Sequence, residues 1–218
     1  MSSKAIAAAA VAAAIGIAGP ASAEIVIVDA SSIQGSNILF NSGDQSGNQV
    51  TGITNDAASA PVLFTGAAGA ILNALGGQAR VQGALNTATP NPNDVLPLKS
   101  LTLAMGNGGT FNDLEFNLFG GKGTTATFTL TDNAGTQFTF DRALSNGSNF
   151  FGFQGINGQT IRDVTIAVSG VGFRDLRQIR LVPGAAVPEP TSWALMIGGL
   201  GLVGMMGRRR VKPRTTYS

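Results

Sequence analysis

Between Phe111 and Val182 the chain alternates apolar and polar residues with a period of two, the mark of half-buried β-strands. In Phe111 to Phe119, Leu114, Phe116 and Leu118 share one face, while Asp113, Glu115 and Asn117 share the other, where solvated side chains are expected. Thr125 to Thr131 sets Ala126, Phe128 and Leu130 against Thr125, Thr127, Thr129 and Thr131. Asp132-Asn133-Ala134-Gly135 predicts a turn with glycine available for positive φ, and Phe138 and Phe140 resume the inward face, so a hairpin is expected there. Asn149 to Gln154 reads as an aromatic strand, Val164, Ile166 and Val168 alternate in the next, and Leu176 to Val182 closes the series. Earlier signals are shorter. Ile25 to Val28, Asn37 to Phe40, Pro61 to Phe64 and Ala79 to Leu85 predict strands, Ala67 to Leu75 reads equally as strand or short helix, and Thr89 to Asp94 reads as a loop. Short strands with Gly, Asn and Asp punctuation predict an all-β fold, an antiparallel, jelly-roll-like β-sandwich ectodomain over residues 24–186.

The two ends follow a different pattern. Residues 1–23 have the layout of a signal peptide: Lys4, then a small-apolar run from Ala5 to Ala18, then Gly19-Pro20 and Ala21-Ser22-Ala23. Ala21 and Ala23 are the small residues a leader peptidase requires, and cleavage there makes Glu24 the mature N-terminus. At the other end, Pro188-Glu189-Pro190 is an extended, helix-free stretch suited to capture by another protein. Trp193 then opens an apolar, glycine-rich segment, 193–207, and Arg208, Arg209 and Arg210 close it. An indole favours the membrane interface and arginines stay cytoplasmic, so this transmembrane helix is expected to run N-terminus out. Its fifteen residues reach roughly 22 Å at ~1.5 Å each, so bilayer thinning or arginine snorkelling must supply the remainder. Residues 211–218 form a cytoplasmic overhang.

Pro188, Glu189 and Pro190, Trp193, the glycine-rich apolar segment and the Arg208-Arg209-Arg210 cluster together resemble a PEP-CTERM sorting signal over residues 187–210. The resemblance implies recognition by an exosortase, a membrane-embedded Cys transpeptidase that cuts near Pro-Glu-Pro and releases or transfers the ectodomain to the cell surface. It also implies a bacterial host that makes exopolysaccharide and biofilm matrix. The expected path is export, residence in the envelope membrane through the C-terminal helix, and then the cell surface or extracellular matrix.

Charge and composition narrow the chemistry of the middle. Its eight basic and eleven acidic residues between Glu24 and Val187 leave it near −3, so the high overall pI belongs to the two ends and gives no reason to expect nucleic acid. Cys and His are absent from the chain, which removes disulfides, thiolate nucleophiles, Ser-His-Asp triads and His- or Cys-ligated zinc. Asp113, Glu115, Asp132, Asp141 and Asp163 are the candidate carboxylates for glycoside hydrolysis, but Asp113 and Glu115 fall on an outward face with no Trp or Tyr in the domain to stack on sugar. No catalytic residue is assigned. No cofactor is expected beyond calcium at oxygen-rich loops such as Asn41 to Asn48 and Asn93 to Asp94. Phe150 must point away from Phe151 and Phe153 in a strand, so one side of that strand is a candidate exposed aromatic face. The Thr125 to Thr131 ladder raises ice binding, but a flat array needs several neighbouring Thr strands and the sequence displays one.

The leading reading is a non-enzymatic structural or adhesive surface protein. The alternative is a carbohydrate- or calcium-dependent binding module of the exopolysaccharide matrix. One prediction follows from the distribution of aromatics. The only Trp and the only Tyr are Trp193 and Tyr217, so protein cut near Pro188 to Pro190 should show almost no absorbance at 280 nm and a mass ending near residue 188. Mature protein that still carries Arg208 to Arg210 in a host with an exosortase would contradict this.

Overall fold

The computed structural model describes residues 24–77, 79–85, 93 and 95–184. The expected signal peptide (1–23), the sorting tail with its expected transmembrane segment (193–207), and the expected overhang (211–218) lie outside the described residues. Fourteen strands make up the described chain: β1 Glu24–Val28, β2 Ser36–Leu39, β3 Gln45–Gly47, β4 Gln49–Thr54, β5 Pro61–Gly66, β6 Ile71–Ala74, β7 Arg80–Ala84, β8 Ser100–Met105, β9 Phe111–Phe119, β10 Thr125–Asp132, β11 Gln137–Ala143, β12 Ser148–Ile156, β13 Ile161–Val168 and β14 Asp175–Pro183. A single 3-10 turn, Ala30–Ser32, follows β1 and is capped by Asp29, whose carboxylate accepts from the Ser31 amide.

The strands pair antiparallel in two layers. The front sheet runs β1-β12-β9-β14 and continues through the first half of β14 to β7, β6 and β3. The back sheet runs β11-β10-β13-β8-β5-β4. β2 joins the layers at one corner: Ser36 and Asn37 pair with β14, and Ile38 and Leu39 pair with β4. A single pairing of Phe111 with Ile161 joins them at another.

The core lies between the layers, and phenylalanine fills much of it. Phe128 of the back sheet meets Phe151 and Phe153 of β12 at centroid distances of 4.6 and 5.2 Å, and Phe116 of β9 at 5.8 Å. These tilted pairs put ring edges against ring faces, the arrangement the aromatic quadrupole favours. Phe40 and Phe64 form a second pair at 5.5 Å. The sandwich predicted by the alternation is present, with Ala126, Phe128, Leu130, Val164, Ile166 and Val168 all buried. The predicted hairpin is β10–β11, with Gly135 at φ 90 in its turn.

Three local expectations change. Ala67 to Leu75 is neither one strand nor a helix: a turn closed by the Ala70 amide on the Ala67 carbonyl leads into β6. Asn41 to Asn48, read as an oxygen-rich loop, contains β3, and its side chains hold the chain together. Asn48 donates its amide to the carbonyls of Gly66, Ala67 and Ala70, and the Asp44 carboxylate accepts from the Gly76 amide. The third change concerns β9, whose outward face is not solvated. Asn117 is 1% exposed and Glu115 6%, because β12 and β14 flank β9 on both sides and their side chains close over the short polar groups between them.

Two stability predictions arise from this packing. Phe128→Ala should cost about 3–5 kcal/mol through lost burial and a residual cavity, whereas Phe150→Ala, at an exposed position, should stay within about 0.5 kcal/mol. Urea unfolding followed by circular dichroism reads both. The second concerns Asp56, which accepts from the Ser36 hydroxyl at 2.7 Å, the Thr54 hydroxyl at 3.0 Å and the Ala58 and Ser59 amides. The Ser36 hydrogen bond, with the others, holds its carboxyl below the ordinary aspartate value. A depressed folded pKa stabilises above the unfolded value and the gain disappears as pH falls through the folded one. Asp56→Asn should therefore be less stable than wild type at pH 7, and the gap should close below about pH 4.

Candidate functional site

The outer face of the front sheet carries the polar groups. Register places Glu115 of β9 between Gly152 of β12 and Arg180 of β14, and Asn117 between Phe150 and Arg177. Phe119 pairs with Ser148 on one side and Asp175 on the other. Because side chains alternate along a strand, all of these groups share one face.

Arg177 and Arg180 reach that face together only through an irregularity. Residues three apart in a regular strand point to opposite sides. Between Arg177 and Arg180, β14 carries one residue more than its partner: Arg177 pairs with Asn117, and Arg180 pairs with Glu115. Gln178 sits in this bulge at φ 52, a left-handed conformation that a side-chain-bearing residue adopts at a cost. Its amide donates to the Ala79 carbonyl at 3.1 Å, and its side-chain carbonyl accepts from Asn117 at 2.8 Å.

The resulting network fixes nearly every polar atom. Arg180 lies 3.4 Å from the Glu115 carboxylate and donates through Nε to Asn37 at 3.0 Å. Asn117 donates to Ser148 and Gln178 and accepts from the Asn149 amide. Arg177 makes a two-pronged pair with Asp175 at 2.5 and 2.6 Å, while its guanidinium carbon lies 3.9 Å from the centre of the Phe119 ring. Asp175 is fully buried, so it needs this fork: a buried carboxylate is tolerated only when paired and hydrogen-bonded. Beside the network, Phe150 projects from β12 with 51% of its surface exposed, while Phe151 and Phe153 are buried on the other side. The aromatic strand thus divides as its alternation requires.

The comparisons bear on the chain's end. Residues 186–210 match the family model described as the PEP-CTERM protein-sorting motif. The chain carries a PEP-CTERM sorting signal. That motif marks an exported protein sorted by an exosortase, held at the membrane before release, and it coincides with the tail containing Pro188, Glu189, Pro190, Trp193 and Arg208 to Arg210. No curated protein matches the chain. Among solved structures, CBM29_1, a family 29 carbohydrate-binding module from Piromyces equi, overlays 75% of this chain and 92% of its own length at 10% identity and a TM-score of 0.30. An overlay of that quality identifies neither fold family nor ligand.

In the domain that precedes this signal the candidate carboxylates do not converge. Glu115 lies in the front-face network. Asp113 lines a separate cleft at the end of β9. Asp132 is buried in the β10–β11 turn, where it accepts from the Thr136 amide at 2.7 Å and from the Gln159 amide. Asp141 and Asp163 face the other way, on the back sheet, and accept from Thr127 and Thr131. The sequence reading missed Asn117, Phe119, Asp175, Arg177 and Arg180. A three-residue Arg spacing in a strand gives no hint of a shared face.

The threonine reading also needs correcting. Register lines up Thr139, Thr129, Thr165, Thr102 and Thr65 across five strands of the back sheet. Alternation within one strand could not display a row that forms only across strands. Two of its hydroxyls bond each other, Thr102 to Thr165 at 2.9 Å, and Thr65 accepts from Gln49 at 2.9 Å. Cross-strand Thr contacts contribute about 0.2–1 kcal/mol each. Strand twist of roughly 20–25° per neighbour turns the row by about 80–100° from end to end, so it does not form the flat lattice that ice binding demands.

Proposed function

We propose that this protein is a non-enzymatic, adhesive component of the cell surface or extracellular matrix, and that the outer face of its front sheet holds exopolysaccharide. A leader peptidase frees Glu24, the C-terminal helix holds the precursor in the membrane, and an exosortase acts at Pro188 to Pro190. The observation that carries the glycan reading is the exposed Phe150 ring directly across from Asn117, in a network that also fixes Glu115 and Arg180. A sugar ring offers an apolar C–H face and a rim of hydroxyls. An exposed aromatic covers the first, and the part-exposed Arg177 and Arg180 guanidinium groups, held in place by the buried Asp175 and Glu115 carboxylates, are placed to donate to the second. Side chains already held in place lose little further freedom on binding.

The same network supports a non-catalytic role. Glycoside hydrolysis needs two carboxyl groups on either side of the scissile bond. Asp113 and Glu115 instead lie side by side along one strand, and Glu115 is engaged with Arg180. The test is retention of the exported protein on exopolysaccharide from the producing strain. Phe150→Ala should lower retention about tenfold with the unfolding midpoint unchanged. If wild-type protein is not retained, yet its deletion weakens matrix cohesion, the role is structural without glycan binding.

A further inference from the structure

A second polar site lies at the end of the same face. β12 and β9 pair as far as Gln154 with Asp113 and then part, and a cleft of about 360 Å³ opens between them. Asn112, Asp113 and Gln154 line one side, and Gly158, Gln159 and Thr160 line the other. The second wall is a tight turn. Asn157 and Gly158 take φ 55 and 82, and the Gln159 amide donates to the Ile156 carbonyl at 3.1 Å, the geometry of a two-residue hairpin turn that matches strand twist. Gly155 lies beneath it, where any Cβ would collide with the Gln159 carbonyl. The turn is also tied to the back sheet: Gln159 donates to the buried Asp132 carboxylate, and the Asn133 amide donates to the Thr160 carbonyl at 3.3 Å. The walls are therefore held in place by the fold.

Two residues that line this cleft each hold a buried polar atom without a hydrogen-bond partner, Asp113 Oδ1 and Thr160 Oγ1. Thr160 as a whole is 8% exposed. Buried polar atoms are nearly always paired, and an exception calls for an explanation. One is a carboxylate oxygen, which only accepts, and the other is a hydroxyl, which both donates and accepts. The amides of Asn112 and Gln154 add both capacities. A neutral ligand edged with hydroxyls meets every one of these requirements. A hard divalent cation meets them poorly, because it takes six to eight oxygens, and no group of three acidic residues is found among the described residues. The cleft also has no lysine or arginine for an anion, and its volume suits a small organic ligand rather than an ion.

We propose that this cleft binds one polyhydroxylated ring, the terminal sugar unit of a neutral glycan chain. The inference rests on the glycan reading of the front face and extends it. Phe150 and Gln154 lie on the same side of β12, four residues or roughly 13 Å apart, so a chain seated on Phe150 can place its end at Asp113 and Thr160.

Methyl glycosides of neutral hexoses, too small to span both places, are the probe, titrated into the exported protein by NMR. Wild type should bind at least one with a millimolar constant. Asp113→Asn and Thr160→Val should each weaken it at least tenfold, while Val171→Ala, at an exposed position outside the cleft lining, should leave it unchanged. Thr160→Val should unfold at the wild-type midpoint or above it, since it removes an unpartnered buried hydroxyl, and Asp113→Asn should stay at the wild-type midpoint, since the amide removes the charge but keeps a polar atom there; a residue serving only packing would lower it. Binding unchanged in both variants overturns the proposal. So does a calcium-dependent rise in the wild-type midpoint that Asp113→Asn abolishes, which would make the cleft a cation site. Polymer retention that depends on Phe150, with no methyl glycoside bound, overturns the cleft and leaves the front-face reading standing. Glycoside binding that depends on Asp113 and Thr160, without polymer retention, supports the cleft alone.

Discussion

The fold depends on phenylalanine packing between two sheets that have no covalent link. With no cysteine in the chain, and its Trp and Tyr confined to the tail, the ectodomain joins its layers through Phe128 seated against Phe116, Phe151 and Phe153. That packing also sets the surface. A strand cannot bury Phe151 and Phe153 without turning Phe150 outward, and it cannot bury Phe116 without turning Glu115 and Asn117 to the opposite side. The exposed ring and the polar row on the front face are thus consequences of how the core is filled.

The bulge at Gln178 adds what alternation alone could not. It shifts the register of β14 against β9 so that Arg177 and Arg180 lie on the same side. Arg177 neutralises the buried Asp175 and packs over Phe119, while Arg180 meets Glu115. Positive φ at a residue with a side chain is unfavourable. Here the surroundings fix it from two directions, through the Ala79 carbonyl and through the Asn117 amide. The glutamine at this position is explained by that second bond, which a glycine could not form.

Whether a feature could be read from the sequence depended on the range of the interaction that makes it. Strands whose period is set by one buried face, such as β10 and β13, were legible, as was the sorting tail, whose signal lies in consecutive residues. The face assignments of Phe150, Phe151 and Phe153 followed from alternation alone. What the sequence concealed depends on partners far along the chain. Asn117 and Glu115 looked solvated because their covering strands, β12 and β14, begin about thirty and sixty residues later. The threonine row spans strands from β5 to β13. β3 and β4 were hidden in a polar, glycine-containing stretch in which the side-chain hydrogen bonds of Asp44, Gln45 and Asn48 add to the burial of Val50. The cleft at Asp113 and Thr160 required knowing where β9 and β12 separate.

The charge of the front face bears on what it can hold. The Arg180 contact supplies the buried Glu115 carboxylate with an opposite charge, without which that carboxylate would be left unpaired. Its effect is to cancel charge and fix orientation. Arg177 and Arg180 are matched by Asp175 and Glu115, which leaves the row locally neutral although it is rich in charged groups. Once leader and tail are gone, the domain around it is mildly acidic. A polyanionic polymer would meet net repulsion from the domain and no unpaired guanidinium in the row. A neutral, hydroxyl-rich polymer would meet the fixed Arg177 and Arg180 donors with no such penalty, which is the charge argument for the proposed glycan being neutral rather than acidic.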